Sequence, residues 1–432
     1  MSTATSAPFV IQVGSPPYIV DRGHPAADDN NPGTEALPWA TIQHAAATLQ
    51  PGERVAIKAG NYSPFNPQQS GTAGKRIVYS AYPGHEHAVV IDGTGLTRRG
   101  LIEIRAKDYI TIEGFRLQNA NMDGVYVEGV AGERHGHHII RDCQVDTTGN
   151  SGVYVCGLVM GQTIPSDDYR TIDVLIEECD ITNTNTPSGV NEALTVGGGV
   201  DGVIARSNVV HDTDQYGIDF KLGVRNGVIA GNRIYNVEKH GIYLDAGCRT
   251  LEAIEVYNNR VYGCAGNGIC IAREANRGPT EGYEQNIRNV DVFNNVVFRS
   301  RRGLLIYQHV EDTLINDFDR VQIVNNTFFD NQEENCRMAN LDSVITNFLF
   351  ANNIAFQSGS TNVVNQFVTS AVATNNIEVD PLFVSTGAVP DLHLGAGSPA
   401  IGAGDGQYAP ASDYDDVPRG SPPDAGAYEY VP

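Results

Sequence analysis

The sequence lacks several features that would point to common classes of protein. None of its apolar runs reaches the 18 residues that predict a membrane-spanning helix. Its seven cysteines are an odd number, which excludes a disulfide framework that pairs all of them, and they show neither CxxC nor Cys/His metal spacings. Lysine and arginine number 29 against 51 aspartates and glutamates, and the net charge of −22 argues against nucleic acid as a partner.

The first residues, MSTATSAPFV, lack the charged-then-apolar form of a secretory signal. The sequence therefore leaves open whether the protein stays inside the cell or has lost a signal peptide. Nothing in it fixes an oligomeric state.

Glycine is frequent, with 46 among 432 residues, and only 19% of the residues are charged. Short segments rich in valine and isoleucine alternate between apolar and polar positions, which is typical of strands separated by tight turns. One exception is the stretch from Pro38 to Thr48, which predicts a short helix with proline in its first turn. The sequence thus predicts an all-β chain with one helix near its beginning.

From about residue 102 the chain repeats itself. Aligning the repeats places six asparagines in one column, at intervals of 24 to 36 residues, and cysteines occupy that column in two earlier copies: Asn208, Asn232, Asn259, Asn295, Asn326 and Asn353, preceded by Cys143 and Cys179. Asparagine tolerates the left-handed backbone of a sharp turn, and amides stacked at about 4.8 Å can form a ladder. This pattern predicts a single-stranded right-handed parallel β-helix of about ten coils or more.

We expect one β-helix domain over residues 1–432. About 1–100 would form the N-terminal cap and first coils, about 101–378 the regular coils, and about 379–432 an irregular tail. The short helix would cap the open end of the strand stack, whose unpaired backbone would otherwise invite aggregation.

Motifs at both ends of the chain resemble those of secreted bacterial right-handed parallel β-helix proteins. These motifs are Asn31-Pro32-Gly33-Thr34, Pro38-Trp39-Ala40-Thr41-Ile42, Pro51-Gly52-Glu53 and Ala59-Gly60-Asn61-Tyr62 at the beginning, with Asp380-Pro381-Leu382-Phe383, Gly397-Ser398-Pro399-Ala400-Ile401 and Gly426-Ala427-Tyr428-Glu429-Tyr430 at the end. The resemblance implies a pectate-lyase-like, carbohydrate-active protein that binds a poly- or oligosaccharide along its outer face. It also implies an extracellular or periplasmic location, while the sequence leaves a cytoplasmic one open. The superfamily contains lyases, epimerases and glycoside hydrolases, so the resemblance leaves the reaction open.

Four strands that each follow a glycine supply the candidate site. If their register holds, the outward residues form one column of Asp219, Tyr243, Cys270 and Leu305 and a second of Lys221, Asp245, Ala272 and Tyr307. A third column would contain Glu274 and His309. Carboxylates and an ammonium on a strand face suit a site better than a buried core. The candidate catalytic residues are therefore Asp219, Lys221, Asp245 and Glu274, and the candidate substrate-binding residues are Tyr243, Arg273, Tyr307 and His309.

Three functions fit these residues. A glycoside hydrolase would use Asp245 and Glu274 as acid and base or nucleophile, and it would need no cofactor. A lyase or C5-epimerase would use Lys221 as the base, with Ca²⁺ held by Asp219, Asp245 and Glu274. A non-catalytic solenoid would only bind glycan on this face.

The resemblance bears on this choice. The strand Ile218-Asp219-Phe220-Lys221 is similar to the one that carries the catalytic lysine in chondroitinase B-type lyases. Asp245, however, stands where those enzymes are expected to have an arginine, so the sequence slightly favours the hydrolase.

Overall fold

The computed structural model describes residues 17–157, 168–186, 189, 191–247, 249–273, 285–308, 318–339, 345–365 and 371–432. The chain divides into two compact units, one ending at Asp214 and the other beginning at Gln215. Each unit is a stack of coils, and after the first coils of the chain each coil contributes strands to three parallel sheets. The predicted right-handed parallel β-helix fold is confirmed. The expectation of one domain over the whole chain stays a prediction.

In the first unit the elements are β1 (Tyr18–Val20), α1 (Ile42–Thr48), β2 (Arg54–Ile57), β3 (Gly60–Tyr62), β4 (Ile77–Ala81), β5 (Val89–Asp92), β6 (Gly100–Arg105), β7 (Ile110–Glu113), β8 (Phe115–Ala120), β9 (Asp123–Glu128), β10 (His135–Gly136), β11 (Ile139–Arg141), β12 (Gln144–Thr148), β13 (Val153–Cys156), β14 (Thr171–Glu177), β15 (Asp180–Thr184), β16 (Leu194–Gly197), β17 (Val200–Arg206) and β18 (Val209–Thr213). The first sheet has the order β1-β2-β4-β7-β11-β14-β17, and β10 also pairs with β14. The second has the order β3-β5-β8-β12-β15-β18, and the third β6-β9-β13-β16.

In the second unit the elements are β19 (Ile218–Lys221), β20 (Val224–Ala230), β21 (Arg233–Val237), β22 (Ile242–Asp245), β23 (Leu251–Tyr257), β24 (Arg260–Tyr262), β25 (Asn267–Arg273), β26 (Ile287–Phe293), β27 (Val296–Phe298), β28 (Arg302–Gln308), β29 (Phe318–Val324), β30 (Thr327–Phe329), β31 (Cys336–Ala339), β32 (Ile345–Thr346), β33 (Leu349–Ala351), β34 (Ile354–Phe356), β35 (Val363–Asn365), β36 (Val372–Thr374), β37 (Phe383–Ser385) and β38 (Asp391–Leu394). The first sheet has the order β20-β23-β26-β29-β33-β36, and β32 also pairs with β29. The second has the order β21-β24-β27-β30-β34, and the third β19-β22-β25-β28-β31-β35. Strands β37 and β38 form a separate antiparallel pair in the C-terminal tail.

The helix begins later than the sequence predicts. It runs from Ile42 to Thr48, and the Thr41 hydroxyl caps it by accepting from the backbone N–H of His44. The carboxylate of Asp29 accepts from the backbone N–H groups of Ala40 and Thr41, which holds the residues before the helix in an extended conformation. The segment at Pro38 was therefore wrongly assigned to the helix, because a long-range hydrogen bond overrides the local preference of proline for a first helical turn.

The asparagine ladder is present in the second unit, and it extends one coil beyond the predicted set. Each amide nitrogen donates to the next amide oxygen at 2.9–3.0 Å in the series Asn232, Asn259, Asn295, Asn326, Asn353 and Asn376. The left-handed backbone lies one residue earlier than predicted, at Asn258, Asn294 and their counterparts. The ladder residues serve instead to pair buried backbone and amide groups of adjacent coils.

The cores of both units are formed by aliphatic side chains that point into the coils. In the third sheet of the second unit, Ile218, Phe220, Ile242, Leu244, Ile269, Ile271, Leu304 and Ile306 are all fully buried, as their alternation predicts. The six cysteines of the described residues are free and buried. No helix in the described part of the chain is long and apolar enough to cross a membrane.

Candidate active site

The third sheet of the second unit brings together the residues that the sequence singled out. Strand β19 pairs with β22 in the register Asp219 to Tyr243 and Lys221 to Asp245. Strands β25 and β28 continue it, so that the two columns are the predicted ones: Tyr243, Cys270 and Leu305 in one, and Asp245, Ala272 and Tyr307 in the other. The predicted register is therefore confirmed over these four strands.

Lys221 and Asp219 form an ion pair at the start of this sheet. The Lys221 ammonium lies 3.7 Å from Asp219 Oδ2, and the two side chains are 10% and 1% exposed. They share a strand and are separated by Phe220, whose side chain points inward. Because Asp219 is almost completely covered, its carboxylate is better placed to orient the lysine than to contact a sugar itself.

Asp245 lies beside Lys221 in the next coil and is also buried. A Cβ added at Gly247 would lie 3.1 Å from both carboxylate oxygens of Asp245. A side chain at this position would therefore crowd the carboxylate. Asp245 could accept a hydrogen bond or a proton at this end of the site.

Arg249 is a site residue that the sequence reasoning missed. It lies in the turn between β22 and β23, and its side chain packs over Gly223, whose φ is +87°. A Cβ added at Gly223 would lie 2.9 Å from Arg249 Nε and 3.0 Å from its Cβ. Since Gly223 is only two residues beyond Lys221, the Arg249 guanidinium lies at the same end of the sheet as the lysine. The sequence feature that could have identified Arg249 is its position shortly after the strand that carries Asp245, opposite a glycine of the preceding coil.

Arg273 occupies a different environment from the one predicted. It is 1% exposed and has the same strand parity as the inward residues Ile269 and Ile271. Its Nε donates to Gln285 Oε1 at 3.4 Å, and Gln285 Nε2 donates to the Gly247 carbonyl at 2.9 Å. In this position Arg273 supports the turn that carries Gly247. A role for it in substrate binding stays a prediction.

Aromatic rings line the edge of the site beside Tyr243. The ring of Tyr216 stacks on Tyr243 at 5.2 Å, and His240 contacts both rings edge-on. His240 Nδ1 accepts from the backbone N–H of Asn267, and burial lowers the pKa of His240 to about 4. His240 is therefore neutral at ordinary pH, and the Lys239 ammonium, 5.0 Å from the centre of the Tyr216 ring, supplies a positive charge at this edge of the site.

Two of the predicted site residues, Glu274 and His309, lie outside the described residues. Within the described ranges, no group of three or more histidines, cysteines, aspartates or glutamates could hold a metal ion. The Ca²⁺ set of Asp219, Asp245 and Glu274 therefore stays a prediction. The Lys221 ammonium already lies beside Asp219, so a calcium ion bound to that carboxylate would have to compete with the lysine.

Comparison with known proteins agrees with this architecture. Residues 22–208 match the family model described as "Pel9A-like, right handed beta helix region". The chain is 29% identical over 275 residues to the uncharacterized protein YwoF of Bacillus subtilis (strain 168), an alignment that covers 55% of each protein. The chain thus spans about half the length of this curated relative.

Solved structures with the same fold include enzymes that act on polysaccharides. Pectate lyase Pel9A has a TM-score of 0.60 at 17% identity, and the alignment covers 97% of each chain. A rhamnogalacturonan lyase has a TM-score of 0.55 at 16% identity, covering 86% of this chain and 91% of that one. The polygalacturonase of Erwinia carotovora ssp. carotovora has a TM-score of 0.52 at 11% identity, covering 87% and 99%. At these identities the similarity establishes the fold. The chain has the right-handed parallel β-helix fold, and its residues 22–208 match the Pel9A-like model.

Proposed function

We propose that this protein is a polysaccharide lyase that cleaves a uronate-containing polysaccharide by β-elimination, with Lys221 as the base. The observation that carries the proposal is that Arg249 packs against Gly223, two residues after Lys221 at one end of the third sheet. The sequence favoured a hydrolase because an aspartate stood where an arginine was expected. Arg249 supplies that arginine from the following turn.

The two cations divide the work of an elimination. The Arg249 guanidinium would bind the substrate carboxylate, which makes the hydrogen on C5 more acidic. The Lys221 ammonium would first release a proton to solvent, and the neutral amine would then take the proton from C5. The electron pair left on C5 forms the C4–C5 double bond, the C4–O bond breaks, and the leaving oxygen takes a proton from solvent. Asp219 would hold the lysine side chain in position.

The charge of the protein supports an anionic substrate at this place in particular. With a net charge of −22, most of the surface repels a polyanion. At this end of the sheet Lys221 and the nearby Arg249 offset the negative charges of Asp219 and Asp245. A uronate would be repelled less at this end of the sheet than elsewhere, which favours binding in one location.

Fold neighbours add support of a second kind. Two of the similar structures are named as lyases, a pectate lyase and a rhamnogalacturonan lyase. Their substrates contain galacturonate. Polygalacturonate is therefore the first substrate to test, followed by rhamnogalacturonan and alginate.

A glycoside hydrolase is the second candidate, because Asp219 and Asp245 lie on the same face in adjacent coils. A hydrolase needs two carboxyl groups that reach the sugar. Asp219 is 1% exposed and paired with Lys221, which leaves Asp245, and Glu274 as proposed from the sequence, for those roles.

One assay separates these functions. The purified chain is incubated with polygalacturonate, rhamnogalacturonan and alginate, and the ultraviolet absorbance of unsaturated uronate is followed together with reducing ends. The lyase proposal predicts that both signals rise together. Reducing ends without unsaturated product would support the hydrolase, and binding without either signal would support a non-catalytic glycan-binding protein.

A further inference from the structure

The outer face of the third sheet continues well beyond Lys221 in the second unit. Past Asp245, the floor consists of small and apolar side chains: Cys270, Ala272, Leu305 and Tyr307. Tyr243, Cys270 and Ala272 pack into one buried cluster, against which Leu305 and Tyr307 pack while remaining partly exposed. Cys270 and Ala272 are completely covered and Tyr243 nearly so, and the partly exposed residues of this face are Leu305 and Tyr307 on β28. An extended sugar chain on this face would contact Leu305 and Tyr307, neither of which is charged.

A second cationic group ends this floor. Arg337 on β31 pairs with Leu305 and so lies in the same column as Asp219, four coils further along the sheet. At about 4.8 Å per coil, its Cα is roughly 19 Å from that of Asp219. Its side chain is 33% exposed.

The surroundings of Arg337 hold its side chain in place. Arg337 Nη1 donates to Glu334 Oε1 at 2.7 Å, and Glu334 also accepts from Arg302. Glu333 pairs with Arg301 and Arg302. This cluster thus contains three arginines against two glutamates. A guanidinium with five N–H donors that uses one to anchor itself can still bind a carboxylate in a bidentate manner.

We infer that Arg337 is a distal binding residue that takes a carboxylate of the same uronate chain whose reacting sugar lies at Lys221. This inference rests on the proposed function. A sugar unit of an extended uronate polymer is about as long as one coil is high, so Arg337 meets the substrate about four units from the reacting sugar. Tyr307 would support a sugar ring between the two cations. The site would therefore act on long chains better than on short ones.

The test uses full-length chains and galacturonate oligomers of defined length. Arg337→Gln removes the charge and keeps much of the side-chain volume. Arg320→Gln is the matched control, because Arg320 is 36% exposed and paired with Asp291, but lies on the first sheet of the same unit. Binding of each oligomer is measured by calorimetry in a Lys221→Ala background, and kcat/KM is measured with Lys221 intact.

We expect Arg337→Gln to weaken binding and lower kcat/KM about tenfold for oligomers that span four coils or more. Oligomers of two or three sugars should be unaffected, and Arg320→Gln should match its parent at every length. An Arg337→Gln effect that is absent, or equal at all lengths, would overturn the distal site while leaving the lyase proposal intact. Length-dependent binding without unsaturated product would support the distal site and refute the lyase. Failure of the Arg337-intact chain to bind any uronate oligomer would refute both.

Discussion

Substituting alanine for Gly223 should disable the site without touching a charged residue. The added Cβ would lie 2.9 Å from Arg249 Nε, 3.0 Å from its Cβ and 3.1 Å from its Cδ. Ordinary Cβ contacts begin at 3.4 Å, so the arginine must move by at least 0.5 Å, the difference between 3.4 and 2.9. Because misplacing a group by about 1 Å can cost about 100-fold in rate, we expect kcat/KM to fall roughly 10- to 100-fold.

The same substitution also costs stability, because φ is +87° at Gly223. A side chain in the left-handed region costs about 1–2 kcal/mol. Gly397→Ala separates the two effects, since Gly397 has a φ of +82° and nothing within 4 Å of the added Cβ. This control should lose similar stability in a thermal melt and keep full activity.

The assay is the initial rate of unsaturated product formation on polygalacturonate, with folding checked by circular dichroism. Arg249→Ala should lower kcat/KM at least as much as Gly223→Ala, and Arg249→Lys should recover part of the loss. If Gly223→Ala and Gly397→Ala are equally active, or if Arg249→Ala is active, the role assigned to Arg249 is refuted.

Three further predictions concern the ladder, a buried histidine and calcium. Asn295→Ala should lower the free energy of unfolding by about 3 kcal/mol or more in urea titrations. The substitution removes the side-chain hydrogen bonds to Asn259 and Asn326 and leaves buried polar groups unpaired. An unchanged unfolding midpoint would contradict the stabilising role of the ladder. His138 is buried, and burial lowers its pKa to about 3. The unfolded chain therefore binds this proton more readily than the folded chain does. The free energy of unfolding should fall by up to roughly 1.4 kcal/mol per pH unit as the pH drops from about 6.5 toward 3. His138→Asn should therefore move the acid-unfolding midpoint to lower pH, and an unmoved midpoint would refute this. Finally, the lyase proposal predicts that turnover persists in a chelator, because Arg249 would neutralise the substrate carboxylate. Loss of turnover that Ca²⁺ restores would favour the calcium set of Asp219, Asp245 and Glu274.

The parts of the structure that repeat could be predicted from the sequence. The register of β19, β22, β25 and β28 follows from the glycine before each run and from side chains that alternate with period two. Shifting one strand by a single residue would bury charge and expose apolar groups, so the pattern permits only one pairing. The same reasoning found the asparagine ladder.

The parts that depend on turns and long-range bonds could not be predicted. Arg249 lies in a turn, where no strand alternation applies, and its position depends on the missing side chain at Gly223. Arg273 continues a strand whose odd-numbered residues point inward, and only the structure shows that Gln285 accepts from it in the interior. The helix start was misplaced because Asp29 binds the backbone before Thr41.

The central claim is that Lys221 removes a proton from a uronate, and one comparison tests it most directly. Turnover of polygalacturonate is measured for Lys221→Ala and Asp245→Asn by unsaturated product and by reducing ends, with thermal melts as the folding check. The account predicts that Lys221→Ala loses 100-fold or more, roughly the contribution of a general base, and that Asp245→Asn loses less. Unsaturated product formed at a near-normal rate by Lys221→Ala would contradict this claim. Reducing ends that appear without unsaturated product, and that Asp245→Asn reduces more than Lys221→Ala does, would contradict it as well.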